Sequence, residues 1–552
     1  MRVAARAGAL LPRRSDWTRA DPRRDPTAGV MVGLVALPLA LGFGVSSGLG
    51  AAAGLTTAVV AGALAAVFGG SRVQVSGPTG AMTVVLVPIV AAHGTDGVLV
   101  VGLMAGLLLV GLGYAGAGRV IRYVPVPVVE GFTIGIAAII ALQQLPTALG
   151  VDVRSDHVLG LAARSVEGFV RDPHWVAVAL TTAVVVAVLA VARLRPTWPG
   201  ALVVVVAATV ANSVLALGAA TIGALPSGLP APSLPTVPVS DLQSLLLPAI
   251  AVAALAALES LLSATVADGM AVGERHDPDR ELVGQGIANL ASPLFGGLPA
   301  TAAIARTAVN VRAGAVSRLA SLTHAVFLLV VVLVAARWVA EIPLAALAGV
   351  LIATAVQMVR VSSLSALVRS TRGDAVILVV TATATLVFDL VTAVILGLVV
   401  AGFVAIRQTA QTARLQETPF DEADHGHHSA EERALLDDHV VAYRLEGPLF
   451  FGAAHDFLLE LSDVSDVRVV ILRMSHVTTL DATGAHVLAD TISRLEGRGI
   501  TVLLSGVRPE HERVLRELGV HDQLADARHL FATTPDAIAH ARDHASRGRR
   551  DS

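Results

Sequence analysis

Apolar residues occur in long runs over most of the chain, and the polar stretches that separate these runs are short. A run of about 20 apolar residues crosses a bilayer as one α-helix. The pattern therefore predicts an α-helical polytopic membrane protein with about 14 spans in two sets of seven. The first set covers 27–46, 51–70, 78–93, 97–118, 124–149, 175–193 and 198–217. The second covers 243–268, 280–295, 300–312, 316–338, 343–358, 373–388 and 390–407.

The third segment of each set is short and begins at a cluster of Gly and Pro. These segments are VQVSGPTGAMTVVLVPIV (73–90) and FGGLPATAAIARTAVN (295–310). Paired interrupted segments at corresponding places are typical of the substrate site of a secondary transporter. A helix that starts inside the membrane directs free N–H groups and a positive dipole end into the cavity. Two such helices predict an anion site, and seven spans per set predict a 7+7 inverted repeat.

The pattern changes at both ends of this apolar region. Residues 1–26 contain several Arg residues and are predicted to be a cytoplasmic leader, which leaves 27–408 as the transport domain. A charged linker is predicted at 409–438. Short apolar runs then alternate with amphipathic stretches over 439–545, with strands at VVAYRLEGPLFF, VRVVILRM and ITVLLSGV and helices at AHVLADTISRLEGRG and PEHERVLRELGV. This alternation predicts a small cytoplasmic α/β domain.

The composition agrees with a membrane protein, because 54% of the residues are hydrophobic and only 15% are charged. The chain has no Cys, which excludes disulfides and thiolate metal sites. Arg is concentrated in alternate loops, and this bias predicts that both termini are cytoplasmic. The loops on that side carry Arg72, Arg119, Arg122, Arg193, Arg195, Arg275, Arg280, Arg312, Arg318, Arg360, Arg369, Arg372, Arg407 and Arg414.

Charge within a membrane span is costly and usually functional, and two ionisable residues within the predicted spans stand out, Glu259 and Arg306. Glu259 lies slightly past the centre of the segment 243–268, and Ser263 is one turn further on the same helix face. We predict that Glu259, assisted by Ser263, carries a coupling proton. The alternative is that Glu259 pairs with a neighbouring helix and only holds the bundle together.

Arg306 lies about two turns past the second Gly/Pro cluster and supplies a fixed positive charge suited to an oxyanion. It could instead extend to the membrane surface, or pair with Glu259. Pro78–Thr79 and Ala300–Thr301 supply the helix starts. Small residues beside these starts give a ligand access to backbone N–H groups, although small residues also serve close helix packing. They are Gly77, Gly80, Ala81, Ala302 and Ala303.

These motifs resemble the sulfate permease (SulP) family of anion transporters. The similar stretches are DPTAGVMVGLVALPLALGFGVSSG (25–48), QVSGPTGA (74–81), ALESLLSATVADGM (257–270) and HDPDRELVGQGIANLASPLFGGLPATAAIARTAVN (276–310). The carboxyl-terminal domain resembles a STAS domain with LDATG (480–484) at its signature loop. Ala482 stands where bacterial regulatory relatives have a phosphorylatable Ser.

The resemblance implies a fold shared with uracil-permease-like carriers, elevator-type alternating access and a homodimer. It also implies an anion site lined by Phe43, Gly80 and Ala81 from the first half and by Ala302, Ala303, Ile304 and Arg306 from the second. Thr79, at the first helix start, is expected to contribute to the same site because its hydroxyl can cap the helix or coordinate a ligand. The sodium-coupled bicarbonate branch has a Thr where this chain has Ile304. Because Ile supplies no side-chain oxygen, coupling to protons is favoured over coupling to sodium.

The function predicted from the sequence is secondary transport of small inorganic or organic oxyanions across the plasma membrane. Sulfate, bicarbonate and dicarboxylates all fit a site made of helix ends and one Arg. One alternative is a nucleobase permease of the same fold, and another is a membrane-anchored STAS signalling scaffold. The STAS domain is expected to bind a cytoplasmic protein. No enzymatic activity, cofactor, metal or nucleic-acid partner is expected.

Overall fold

The computed structural model describes residues 10, 12–17, 20–119, 124–153, 155, 157–195, 198–236, 242–270, 275–359, 361–388, 390–410, 414–417, 440–450, 467–520, 524 and 528–547. It divides the chain into two compact units, Met1–Val399 and Val400–Ser552. Most of the predicted linker lies outside the described residues.

The first unit is helical apart from two very short strands. Its elements begin with a 3-10 helix at Arg14–Trp17, α1 Arg24–Ser46, α2 Ala51–Phe68, β1 Ser76–Gly77, α3 Gly80–Ala115, α4 Val126–Gln143, α5 Leu145–Leu149, α6 Val158–Arg171, α7 Trp175–Leu194 and α8 Gly200–Val214. They continue with α9 Leu242–Met270, α10 Pro278–Ala291, a 3-10 helix at Ser292–Phe295, β2 Thr301–Ala302, α11 Ile304–Arg312, α12 Arg318–Val339, α13 Leu344–Met358, α14 Val361–Ser370, α15 Arg372–Val387 and α16 Leu390–Ala410.

Each of the predicted spans falls on a helix of this unit. Among the described residues, nine helices are long and apolar enough to cross a membrane. Helix α3 contains two of the predicted spans, which meet at a kink at Gly94, where φ is +66°. The multi-pass helical architecture is therefore confirmed, whereas the count of fourteen crossings stays a prediction.

Helix α6 was not predicted. It covers Val158–Arg171, which lies between the predicted spans 124–149 and 175–193. Val166 and Val170 on this helix are more than half exposed, and Glu167 pairs with Arg171 one turn later on the surface. The helix is amphipathic and has too few apolar residues for a span, so a search for runs of about 20 apolar residues misses it.

A buried carboxylate ties α10 to the chain between α2 and β1. One oxygen of Glu281 accepts hydrogen bonds from the backbone N–H groups of Gly70 (2.8 Å) and Ser71 (3.0 Å). The other accepts from the side-chain amides of Gln74 (2.9 Å) and Gln285 (3.0 Å). Glu281 is only 2% exposed, so four donors compensate its charge where water is excluded.

The described part of the leader is attached to the same region. Asp16 forms an ion pair with Arg280 at 2.7 Å and accepts a hydrogen bond from the backbone N–H of Arg13. Burial alone would raise the pKa of Asp16, but the hydrogen bonds from Arg280 and Arg13 hold that pKa below its usual value. Leu10 is buried as well. The segment before α1 is therefore packed against the helical unit.

The second unit begins within α16, at Val400, and contains an α/β domain with a mixed sheet. Its strands are β3 Arg414–Glu417, β4 Val440–Leu449, β5 Val469–Arg473, β6 Val477–Leu480, β7 Thr501–Ser505 and β8 Leu530–Phe531, and its helices are α17 Ala482–Gly497, α18 Pro509–Glu517 and α19 Thr534–Arg547. The main sheet has the order β3-β4-β5-β7-β8, and β6 pairs with β4. Among the described strands of this sheet, β3 and β4 pair antiparallel and the other pairings are parallel.

The strands and helices predicted for this domain are all present. Residues of β5 alternate between two cores, as the two-residue period of a strand requires. Val470 and Leu472 pack with residues of α17, whereas Val469 and Ile471 pack with residues of α19. Asp481 in the LDATG motif caps α17 by accepting a hydrogen bond from the backbone N–H of Gly484 at 2.7 Å.

The Glu281 cluster generates a stability prediction. Replacing Glu281 with Ala removes the acceptor that four donors share, and each buried donor left unsatisfied costs about 1–3 kcal/mol. We expect Glu281→Ala to lower the thermal melting midpoint of the detergent-solubilised protein by several degrees, and Glu341→Ala, at an exposed position, to leave it within about one degree. Equal melting midpoints for the two variants would show that the cluster does not stabilise the fold.

Candidate functional site

The two Gly/Pro clusters meet in the interior of the helical unit as a two-stranded antiparallel sheet. Ser76 pairs with Ala302, and Gly77 pairs with Thr301. Helix α3 begins at Gly80, three residues after β1, and α11 begins at Ile304, two residues after β2. The sheet therefore brings the amino ends of the two half-helices to neighbouring positions, as an anion site between helix ends requires.

Each half-helix directs backbone N–H groups of its first turn toward this region. In α3 the first intrahelical bond runs from the N–H of Thr83 to the carbonyl of Thr79, so the N–H groups of Gly80 and Ala81 precede it. In α11 the corresponding bond joins Thr307 to Ala303, and the groups of residues 304–306 precede it. Such groups, together with the helix dipole, favour an anion.

The two helix starts differ in how they are capped. The hydroxyl of Thr79 accepts from the N–H of Met82 at 3.3 Å, so the predicted cap of α3 is present. Thr301 was expected at the second helix start, but it lies in β2 instead. Helix α11 begins at Ile304 after Ala303, which provides no side-chain cap. The reason is that residues 301 and 302 pair with β1 and are held in extended conformation.

Arg306 connects the two half-helices. Its side chain is 1% exposed, and its Nη2 donates a hydrogen bond to the carbonyl of Pro78 at 2.6 Å. Nη1 has no hydrogen-bond partner among the described residues. A β-carbon at Gly77 would lie only 2.8 Å from Nη1, so the guanidinium fits against the backbone because residue 77 is Gly. The expected alternative of an Arg side chain extended to the membrane surface does not hold.

Glu259 lies on the other side of the same cluster. Its Oε2 accepts a hydrogen bond from the hydroxyl of Thr79 at 2.9 Å. Within the described chain Glu259 and Arg306 form no ion pair, but their charges interact electrostatically. Glu259 is partly accessible, whereas Arg306 is buried. The carboxylate and the guanidinium thus contact adjacent residues, Thr79 and Pro78, at the start of one half-helix.

Two serines on α9 contact the second half of the site. Ser263, expected to assist Glu259, donates to the hydroxyl of Thr307 at 3.1 Å. Thr307 in turn accepts from the backbone N–H of Val75 at 3.1 Å. Ser260, which the sequence analysis did not select, hydrogen-bonds the hydroxyl of Thr301 (3.1 Å) and accepts from the N–H of Ala302 (3.2 Å).

A frame of buried amides holds β2 in place and was not predicted residue by residue. The side chain of Asn289 accepts from the N–H of Ala300 and donates to its carbonyl, both at 2.8 Å. Gln285, one turn earlier on α10, donates to the hydroxyl of Ser76 at 2.6 Å. The i, i+4 spacing of two amides in a buried helix is the signal that would have found this frame.

All of the predicted site residues lie around this sheet. Phe43 is buried, and its Cε1 would be 3.1 Å from a β-carbon at Gly80. Gly80, Ala81 and Ala302 are buried, whereas Ala303 and Ile304 are partly accessible and Ala305 is exposed. The amino end of α3 is thus covered in this structure, and the amino end of α11 is more accessible.

Comparison with known proteins identifies the family of this chain. Residues 23–381 match the model of the sulfate permease family, and residues 434–537 match that of the STAS domain. The putative sulfate transporter YvdB of Bacillus subtilis (strain 168) is 35% identical over 92% of this chain and 96% of the relative. The bicarbonate transporter BicA of Synechocystis is 33% identical, with 90% of each chain covered.

Solved structures support the fold. The transmembrane domain of a cyanobacterial bicarbonate transporter, BicA, aligns with a TM-score of 0.61 at 33% identity, covering 69% of this chain and 98% of that one. SLC26A9 aligns with a TM-score of 0.80 over 100% of this chain and 96% of that one, at 17% identity, which shows a shared fold. On these matches, the chain belongs to the sulfate permease family and carries a STAS domain after its membrane domain.

Proposed function

We propose that this protein is a secondary active transporter of small oxyanions that binds its substrate between the amino ends of α3 and α11. The observation that supports the proposal is the β1–β2 pairing, because the first turns of both half-helices and the buried guanidinium of Arg306 lie next to it. Charge-assisted hydrogen bonds from such groups are roughly twice as strong as neutral ones. The names of the relatives support oxyanions of the sulfate and bicarbonate class.

Protons are the proposed driving ion, and Glu259 is their proposed carrier. An anion at the helix ends lies near the carboxylate of Glu259, and the two negative charges repel each other. Protonation of Glu259 removes that repulsion, so proton binding and anion binding favour one another by thermodynamic linkage. Partial accessibility of Glu259 allows exchange with solvent. Ile304 provides no side-chain oxygen at the second half-helix, which argues against a sodium site.

Elevator-type movement is proposed because the helices fall into two groups with different contacts. Hydrogen bonds of buried side chains connect α9, α10, α11 and the chain after α2 around the short sheet. The other group includes α4 and α15, where Gly131 and Gly135 pack closely on Thr381 and Thr385. Where α4 meets the amino end of α3, the contact is apolar, with Ile140 against Gly80. Apolar surfaces can slide because they lack directional hydrogen bonds.

The remaining expectations belong to the same proposal. The protein is a homodimer of the plasma membrane with both termini in the cytoplasm, and its STAS domain binds a cytoplasmic protein. The Arg bias of the loops supports the orientation.

The role of Arg306 is testable in proteoliposomes. We expect Arg306→Ala to reduce kcat/KM for uptake of labelled sulfate or bicarbonate by roughly 10- to 100-fold, the effect of losing one hydrogen bond from a charged group. Arg306→Lys keeps the charge but loses the planar fork, so its kcat/KM should lie between that of the wild type and that of Arg306→Ala. Arg337→Ala, at an exposed position on α12, is the matched control. Full anion uptake by a folded Arg306→Ala protein would contradict the site.

Coupling is tested by replacing Glu259 with Gln, which keeps the shape and removes the titratable group. In the wild type, KM for the anion should fall as pH falls, since protonated Glu259 no longer repels the substrate. In Glu259→Gln, KM should not vary with pH, and a pH gradient should not drive accumulation, whereas anion exchange should persist. Glu167→Gln on the surface of α6 should behave as wild type. Accumulation that persists in Glu259→Gln would exclude Glu259 as the proton carrier.

A further inference from the structure

Helix α4 covers the amino end of the first half-helix. A β-carbon built on Gly80 would lie 2.2 Å from Cδ1 of Ile140 and 3.1 Å from its Cγ1. The terminal methyl of Ile140 therefore rests directly on the backbone of the first residue of α3. Ile140 is 2% exposed, so its side chain lies in the interior of the helical unit. It is the closest side-chain neighbour of Gly80 in the structure.

A polar contact one turn further along the chain fixes this arrangement. Gln144, which follows α4, is buried and donates through its amide nitrogen to the hydroxyl of Ser46 at 3.0 Å. The hydroxyl of Ser46 lies 3.2 Å from the amide oxygen of the same residue. Ser46 follows Phe43 by three residues on α1, and Phe43 is the second side chain against Gly80. Two helices thus converge on one helix end and are joined by the Ser46–Gln144 contact.

We infer that Ile140 is a specificity-determining residue and that its Cδ1 methyl limits the size of the anion accepted at the start of α3. The inference rests on the proposed function, because it assumes that the substrate is bound by the N–H groups of Gly80 and Ala81. An anion that approaches these groups must share the space over Gly80 with the Ile140 methyl. The buried, unpartnered Nη1 of Arg306, beside Gly77, independently indicates a ligand at this place.

The chemical consequence is a preference for the smaller oxyanion. Planar bicarbonate needs less room over a helix end than tetrahedral sulfate or an extended dicarboxylate. In an apolar contact, one methyl group changes discrimination between substrates by about 10- to 200-fold. The effect of the Ile140 methyl on kcat/KM is therefore large enough to make the site prefer bicarbonate over sulfate.

The test uses Ile140→Val, which removes only Cδ1 and keeps a β-branched apolar side chain. The ratio of kcat/KM for labelled sulfate to kcat/KM for labelled bicarbonate is measured in proteoliposomes of the full chain. We expect this ratio to rise about tenfold in Ile140→Val. Ile139→Val is the matched control, because Ile139 is its buried neighbour on α4 (3% exposed) and does not contact Gly80 closely.

The outcomes separate the inference from the proposed function. If the wild type transports neither anion, the proposed function fails. If it transports at least one and the ratio is the same in Ile140→Val, Ile139→Val and wild type, the inference is overturned. A loss of stability alone would lower both rates together and leave the ratio unchanged, so the ratio reports specificity and not folding.

A double substitution tests the contact without reference to the choice of anion. Gly80→Ala places a β-carbon against Cδ1 of Ile140, so we expect it to reduce transport at least tenfold. Adding Ile140→Val removes the overlapping methyl and should restore a large part of the lost rate, whereas adding Ile139→Val should restore none. Equal rates for the two double variants would show that Ile140 does not occupy the space over Gly80.

Discussion

The short antiparallel pairing of Ser76–Gly77 with Thr301–Ala302 is the constraint on which the site depends. Backbone that leaves helical conformation at membrane depth must find its hydrogen bonds inside the protein. The two interrupted segments form some of these hydrogen bonds with each other by pairing as strands. Side chains from α9 and α10 form further hydrogen bonds with the same segments. Because each helix begins two or three residues after its strand, the pairing also fixes where the two half-helix ends lie.

Two charged side chains, Arg306 and Glu259, lie next to this pairing and add to the dipoles of the backbone. Arg306 binds the carbonyl of Pro78, and Glu259 binds the hydroxyl of Thr79, so both charges act on the same helix start. One charge is permanent and the other can be neutralised by a proton. This combination suits a carrier better than a fixed binding protein, since the affinity for an anion can change during a transport cycle.

The sequence was sufficient for the parts of the fold that depend on local pattern. Apolar runs located the long apolar helices of the membrane domain but not the amphipathic α6, and Gly/Pro clusters located both half-helices. The start of α11 was misplaced because the extended conformation of Thr301 depends on a strand more than 200 residues away. The roles of Ser260 and Glu281 could not be predicted for the same reason, because their hydrogen-bond partners lie on other elements. Nothing in a periodic pattern reports which distant backbone group a buried hydroxyl or carboxylate will meet.

The central claim is that an anion is held between the amino ends of α3 and α11, and locating a bound anion tests it most directly. Anomalous diffraction from crystals grown with selenate, a heavy analogue of sulfate, would show where the anion lies. The account predicts one strong peak within hydrogen-bond distance of the first-turn N–H groups at Gly80 or Ile304 and near the Arg306 guanidinium. A strong selenate peak elsewhere in the membrane domain, with none between these helix ends, would contradict it.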